Sequence, residues 1–147
     1  MSEANAVNLL HLGICTSDLP RAVRFYTEAL GFTYERDVGE IGAPFDQLTE
    51  LPGTSLKAHH VRLDGLRVEL IGFAETVGDG ERCPMNRLGF THMTLTVADL
   101  DAVCERVIEH GGQILSHTRI DTPYGPIVFC TDPDGTRIEL MQPPVQS

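Results

Sequence analysis

The chain of 147 residues repeats itself. Leu10-His11-Leu12-Gly13 leads through Ser17-Asp18-Leu19 and a helical stretch to Gly31-Phe32. Thr91-His92-Met93-Thr94 leads through Ala98-Asp99-Leu100 and a second helical stretch to Gly111-Gly112. His11 precedes Asp18 by seven residues, as His92 precedes Asp99, and the pairs Leu19/Leu100 and Gly31/Gly112 both stand 81 apart. Self-similarity at one offset means two copies of one supersecondary unit. It restricts the chain to folds built from a duplicated module.

Each half reads as β-α-β-β-β. Alternating residues at 9–15 and 91–97 predict an opening strand. Ser17 or Asp18, and Asp99 in the second half, are side chains that accept from the free amides of a helix start. Helices follow at 19–30 and 100–110, where Ala22, Val23, Tyr26 and Leu30, then Val103, Val107 and Ile108, recur at helical spacing. Gly31 and Gly111 stop them. Each half ends in a hairpin: Ala58–Leu63, Asp64-Gly65, Leu66–Gly72, and then Ile127–Thr131, Asp132-Pro133-Asp134-Gly135, Thr136–Met141. The modules cover residues 8–73 and 90–142, joined by a linker at 74–89. Residues 37–56, rich in Gly, Pro and Thr, hold the second strand, a mobile loop, or both. The tail after Gln142 is expected to fray.

The length suits one domain, at about 150 residues each, and a chain of this size buries about two-thirds of its unfolded surface. With 41% hydrophobic and 22% charged residues the composition is globular. No apolar run reaches the roughly 18–20 residues of a membrane span. Met1–Leu10 has an acid and no base, so it lacks the positive region of a leader, and a cytoplasmic protein is expected. Acids outnumber bases 21 to 11, Lys57 is the sole lysine, and the net charge is −10. Nucleic acids and anionic membranes require clustered Lys and Arg, so neither is an expected partner. Cys15, Cys83, Cys104 and Cys130 form no CxxC pair. They read as reduced thiols whose default role is packing.

The first hairpin fixes where polar side chains point. An Asp-Gly turn pairs Leu63 with Leu66, so Val61 faces Val68, His60 faces Glu69 and His59 faces Leu70. Alternation then gives one face to Val61, Leu63, Leu66, Val68 and Leu70, with His59 at its far end. Ala58, His60, Arg62, Arg67, Glu69 and Ile71 take the other, which is too polar to be core. The remaining strands divide likewise. Leu10, Leu12 and Ile14 oppose His11, Gly13 and Cys15. Met93, Leu95 and Val97 oppose His92, Thr94 and Thr96. Ile138 and Leu140 oppose Arg137, Glu139 and Met141. His11, Glu69, His92 and Glu139 therefore leave the non-core faces at equivalent places in the two halves. Two imidazoles and two carboxylates suit one divalent transition metal such as Zn, Ni, Mn, Fe or Co. They leave a 2+ site neutral, with open positions for a substrate that chelates through two neighbouring oxygens.

The stretches 11–19, 24–32, 68–71, 89–101 and 132–140 resemble, in order, the vicinal oxygen chelate superfamily of glyoxalases, bleomycin-resistance proteins and extradiol dioxygenases. The resemblance implies an α+β fold in which two βαβββ modules form a cupped mixed sheet with helices on the convex face. It implies a metal held by His11, Glu69, His92 and Glu139. Members resembling ring-cleaving dioxygenases leave the place of Glu69 without a ligand, whereas four-ligand members resembling glyoxalase I and methylmalonyl-CoA epimerase carry Glu or Gln there. The implied activity is that of a metal-dependent isomerase, epimerase or lyase, transferring a proton by enolate- or enediolate-type chemistry on a small oxygenated substrate. Glu139 or Glu69 is the base. An extradiol-type dioxygenase and a non-catalytic binder of an antibiotic or other hydrophobic ligand are the alternatives. Family members are usually homodimers, their site built within one chain or from exchanged modules.

Around the four ligands, His60 reads as a half-exposed strand histidine, a partner of Glu69 or a proton carrier. Arg62 and Arg67 read as solvated side chains of that face or as holders of an anionic substrate group. Tyr124-Gly125-Pro126 and residues 40–56 form the rim. The single lysine fits poorly with glutathione conjugates or acyl-CoA, whose carriers are anionic.

Overall fold

A computed structural model describes residues 6–145. Met1–Asn5, part of the segment read for a leader, and the last two residues of the tail lie outside the described residues. The order is β1 (Leu12–Cys15), α1 (Leu19–Arg24) continuing as a π-helical turn (Phe25–Ala29), β2 (Thr33–Ile41), α2 (Phe45–Leu48), β3 (Leu56–Leu63) and β4 (Leu66–Phe73). The second half adds β5 (Met93–Thr96), α3 (Leu100–Glu109), β6 (Gln113–Thr122), β7 (Gly125–Thr131) and β8 (Arg137–Met141). These make two four-stranded mixed sheets, ordered β1-β4-β3-β2 and β5-β8-β7-β6. This is the duplicated βαβββ architecture expected from the repeat. Among the described residues no helix is long and apolar enough to cross a membrane.

Local signals explain the boundaries. The Asp18 carboxylate accepts from the Arg21 amide at 2.9 Å, and Asp99 accepts from Ala102 at 3.0 Å. Each satisfies an amide left free at a helix start. Gly31 and Gly111 end the helices at φ +80° and +87°, where a Cβ would be strained. The region 37–56 resolves into the end of β2, the short α2 and irregular chain.

One core joins the halves. α1 packs on β3 and β4, α3 packs on β6 and β7, and α3 also meets the π-helical turn. Phe25, Tyr26, Val61, Leu70, Val107, Val128 and Leu140 belong to a single buried cluster. The π turn holds one more residue per turn than an α-helix, and the adjacent rings of Phe25 and Tyr26 are both fully buried there. Arg106 Nε donates to the Ala29 carbonyl across the helix pair at 3.2 Å.

Four readings need correction. β1 and β5 begin later than the alternation suggests, their pairing starting at Leu12 opposite Val68 and at Met93 opposite Ile138. Leu10 consequently lies outside the sheet and is exposed rather than core-facing. Ile108 is exposed, since α3 buries only the narrow stripe of Leu100, Val103 and Val107. Cys15 and Cys83 are exposed, so packing accounts for Cys130 and partly for Cys104 alone. The polar face of the first sheet is not uniformly wet: Ala58 and His60 are buried. They sit on β3 between two neighbouring strands, and Arg36 on β2 and Glu69 on β4 flank His60 in register.

Candidate metal centre

The β3–β4 hairpin has the register its Asp64-Gly65 turn demands, with Leu63 opposite Leu66, Val61 opposite Val68 and His60 opposite Glu69. The parallel pairing of β1 with β4 sets Gly13 beside Glu69. His11, two residues before Gly13, leans towards the same carboxylate. His11 Nε2 lies 3.3 Å from Glu69 Oε2, and His60 Nε2 lies 3.1 Å from that oxygen. The imidazole centroids of His11 and His60 are 5.7 Å apart. One ligand atom from each of His11, His60 and Glu69 falls within 4.8 Å of the other two.

Hydrogen bonding separates the two imidazoles. His60 is 3% exposed, and its Nδ1 accepts from Arg36 Nε at 3.3 Å. His11 Nδ1 is buried and has no partner among the described residues. The sequence places His60 next to Glu69 but gives no sign of Arg36. β2 carries irregularities between Tyr34 and Arg36 and between Asp37 and Gly39, which defeat a simple alternation.

Glu139 lies on the other sheet and His92 just before its strand β5, and neither is part of that donor group. His92 Nδ1 is 2.8 Å from Thr91 Oγ1, and its ring stands edge-on to Phe129. Glu139 is paired with Phe129 across β7–β8 and accepts from the Thr94 hydroxyl at 3.2 Å. A cleft of about 600 Å³ is bordered by Gly13 and Cys15 of β1, by Arg87 of the linker, and by Phe90, His92 and Arg137 of the second module. Thus β1 and His92 face one opening.

The two arginines offered for an anionic substrate are already engaged. Arg62 Nε and Arg67 Nε each donate to one oxygen of Glu35 at 2.6 Å. These bonds hold the Glu35 carboxyl at about 2, well below its usual value, Arg67 being the larger influence. Glu35 is a residue that sequence reasoning passed over, again because of the irregular β2. Tyr124 is exposed at the β6–β7 turn, with its amide donating to Thr122 Oγ1 at 3.1 Å.

The match to known families decides what this fold is. The family model described as Glyoxalase/Bleomycin resistance protein/Dioxygenase superfamily matches residues 8–140. The chain belongs to this superfamily. No curated protein matches it in sequence. Among solved structures, a glyoxalase family protein of Bacillus cereus is 20% identical, with 97% of this chain and 98% of that chain covered and a TM-score of 0.82. A glyoxylase/bleomycin resistance protein/dioxygenase domain from Frankia is 22% identical, covering 97% and 96%, at TM-score 0.66. The fosfomycin resistance protein FosX of Listeria monocytogenes is 15% identical, covering 97% and 95%, at TM-score 0.63. At these identities the likeness is one of fold.

Superfamily members bind divalent metals, and the donors present fit one. Glu69 supplies an anionic oxygen, and His11 offers a neutral nitrogen 3.3 Å from it, close to the spacing of two ligands that share an ion at about 2.0–2.2 Å.

Proposed function

We propose that this protein is a metal-dependent isomerase, epimerase or lyase of the glyoxalase type, acting on a small oxygenated substrate. The observation that carries the reading is the convergence of His11 Nε2, just before β1, on Glu69 Oε2 of the neighbouring β4. His11 and Glu69 hold the metal from one module, and His92 and Glu139 hold it from the other. The bound ion supplies Lewis acidity to a substrate oxygen. A carboxylate beside the substrate then takes a proton from the carbon next to that carbonyl and returns it to the neighbouring position. Glu139 is the better base, because among the described residues its carboxylate accepts from one hydroxyl at 3.2 Å, whereas Glu69 is held by His60. A carboxylate at position 69 disfavours the ring-cleaving dioxygenase alternative.

The complete site is assigned to a homodimer, with His92 and Glu139 coming from a second copy. Two features support this reading. β1 and β5 are both edge strands with one free side, and such edges favour pairing. Val7 and Leu9 before β1, and Leu88 and Phe90 before β5, are exposed apolar side chains at the repeat's own offset.

The test is elemental analysis of protein purified without chelators, with melting followed as metals are added back. About one transition metal per chain and a raised melting temperature are expected. A chain that takes up no stoichiometric metal ends this reading. A screen of hemithioacetals, acyl thioesters and catechols then separates the reaction classes.

A further inference from the structure

We propose that His60 is a positioning residue for Glu69 and not a third metal ligand, its tautomer being dictated by Arg36. The proposal rests on the reading of Glu69 as a ligand. Distances alone suggest otherwise, since His11, His60 and Glu69 offer ligand atoms within 4.8 Å of one another, the two-His, one-carboxylate set that many metals accept. Proton bookkeeping removes His60 from that set.

Arginine is always charged and has only donors. Arg36 Nε directs its N–H at His60 Nδ1 from 3.3 Å, so Nδ1 must present a lone pair. A neutral imidazole with a bare Nδ1 carries its proton on Nε2. That nitrogen stands 3.1 Å from Glu69 Oε2, so Nε2–H donates to the carboxylate. The other two forms fail. A metal on Nε2 would put the proton on Nδ1, and a charged imidazolium would put one there as well. Either points N–H at N–H in a place that is 3% exposed, and a buried donor without an acceptor is costly.

The chain Arg36 → His60 → Glu69 thus fixes one oxygen of the carboxylate from behind. Glu69 Oε1 and the remaining lone pair of Oε2 are left for the ion. Hydrogen bonds of this kind orient a ligand and are commonly worth about 10–100-fold in metal affinity. His11 differs in the feature that matters. His11 Nδ1 meets no donor among the described residues, so nothing there opposes the Nδ1–H form that ligation through Nε2 requires. The assignment also makes Arg36 a determinant of the site although it touches no ligand atom of the ion.

Long-range ¹H–¹⁵N spectra of the imidazoles test this directly in the wild-type protein. His60 is identified by the signal lost in His60→Gln. The Nε2–H tautomer is expected without metal and is expected to persist when Zn²⁺ is added. Arg36→Leu, which removes the donor facing Nδ1 but leaves Glu69 facing Nε2, is expected to keep the Nε2–H tautomer without metal and to allow its loss when Zn²⁺ is added. An Nδ1–H tautomer, or loss of the Nε2 proton on adding Zn²⁺, overturns the proposal. Calorimetry with Zn²⁺ gives a second readout. His60→Ala is expected to lose about 10–100-fold in affinity, and His60→Gln, whose amide keeps a donor, to recover most of it. If both variants bind as poorly as His11→Ala, His60 is a ligand and the proposal fails. If the wild type binds no Zn²⁺, the metal reading itself falls, while the metal-free spectrum still decides whether His60 donates from Nε2 to Glu69. A His60→Ala chain that does not fold leaves the wild-type spectrum as the deciding result.

Discussion

The Tyr26 hydroxyl donates to Asp132 Oδ2 at 3.0 Å and ties the first helix to the β7–β8 turn of the other half. Both side chains are buried. The other Asp132 oxygen accepts from the amides of Asp134 and Thr136 at 3.0 and 2.8 Å, holding the turn together. Burial pushes the Asp132 carboxyl up. Burial, and then the neighbouring Asp132, push the Tyr26 phenol well up. A second tie lies nearby, where Asp134 accepts from Thr16, Ser17 and Arg21.

Tyr26→Phe keeps the ring and removes the donor. It leaves a buried acceptor without one of its partners, so a loss of about 1–3 kcal/mol is expected, measured by urea unfolding. Metal affinity is expected to stay unchanged. A variant as stable as the wild type shows that the hydroxyl carries no net stabilisation.

Gly112 is where the helix and sheet of the second half meet the first helix. A Cβ there would lie 2.5 Å from the Thr131 carbonyl and 2.7 Å from both Phe25 Cε2 and Val107 Cγ1. Gly112→Ala is expected to cost about 1–3 kcal/mol by overpacking. Gly42→Ala, with nothing within 4 Å, is the control and should be near neutral in the same thermal melts.

Glu35 contributes a pH dependence of known sign. Its folded value is lowered from 4.5 to about 2, by Arg67 first and then Arg62. A lowered carboxyl stabilises the fold above its unfolded value, and that contribution fades as pH falls from 4.5 through about 2. Glu35→Gln should therefore flatten this part of the stability-against-pH curve, as read from urea midpoints. Parallel curves for the two proteins would contradict the ion pair.

His110 should act in the opposite direction. One ring nitrogen faces the Arg106 carbonyl at 2.8 Å and the other faces Glu28 across the helix pair at 2.9 Å. The carbonyl and then Glu28 raise its pKa above 6.5. A raised imidazole stabilises the fold fully below 6.5 and loses that contribution as pH climbs through the folded value. His110→Gln removes the slope, and unfolding curves taken on either side of neutrality measure it.

Mixing decides how the metal site is built. His11→Ala and His92→Ala chains, each inactive alone, are unfolded together and refolded. If the halves of a site come from two copies, each mixed dimer regains one intact set of four ligands, and metal binding returns. A site closed within one chain gives no recovery.

Much of the fold depends on short-range rules and is legible in the chain. Asp18 and Asp99 cap helices, Gly31 and Gly111 end them, and Asp64-Gly65 sets a hairpin whose alternation brings His60 opposite Glu69. Each outcome involves residues at most about ten apart, where turn chemistry and side-chain period suffice. The repeat adds the equivalence of the two halves.

What tertiary structure alone decided involves strands and loops that no local rule brings together. The breaks in β2 hide that Arg36 lies beside His60 and that Glu35 pairs with both Arg62 and Arg67. The burial of His60 follows from its flanking neighbours rather than from its own strand's pattern. Tyr26 and Asp132 are 106 positions apart, and only the shared core of the two halves joins them. A proton's place on His60 is decided there too, because a tautomer depends on which donor the fold sets against it.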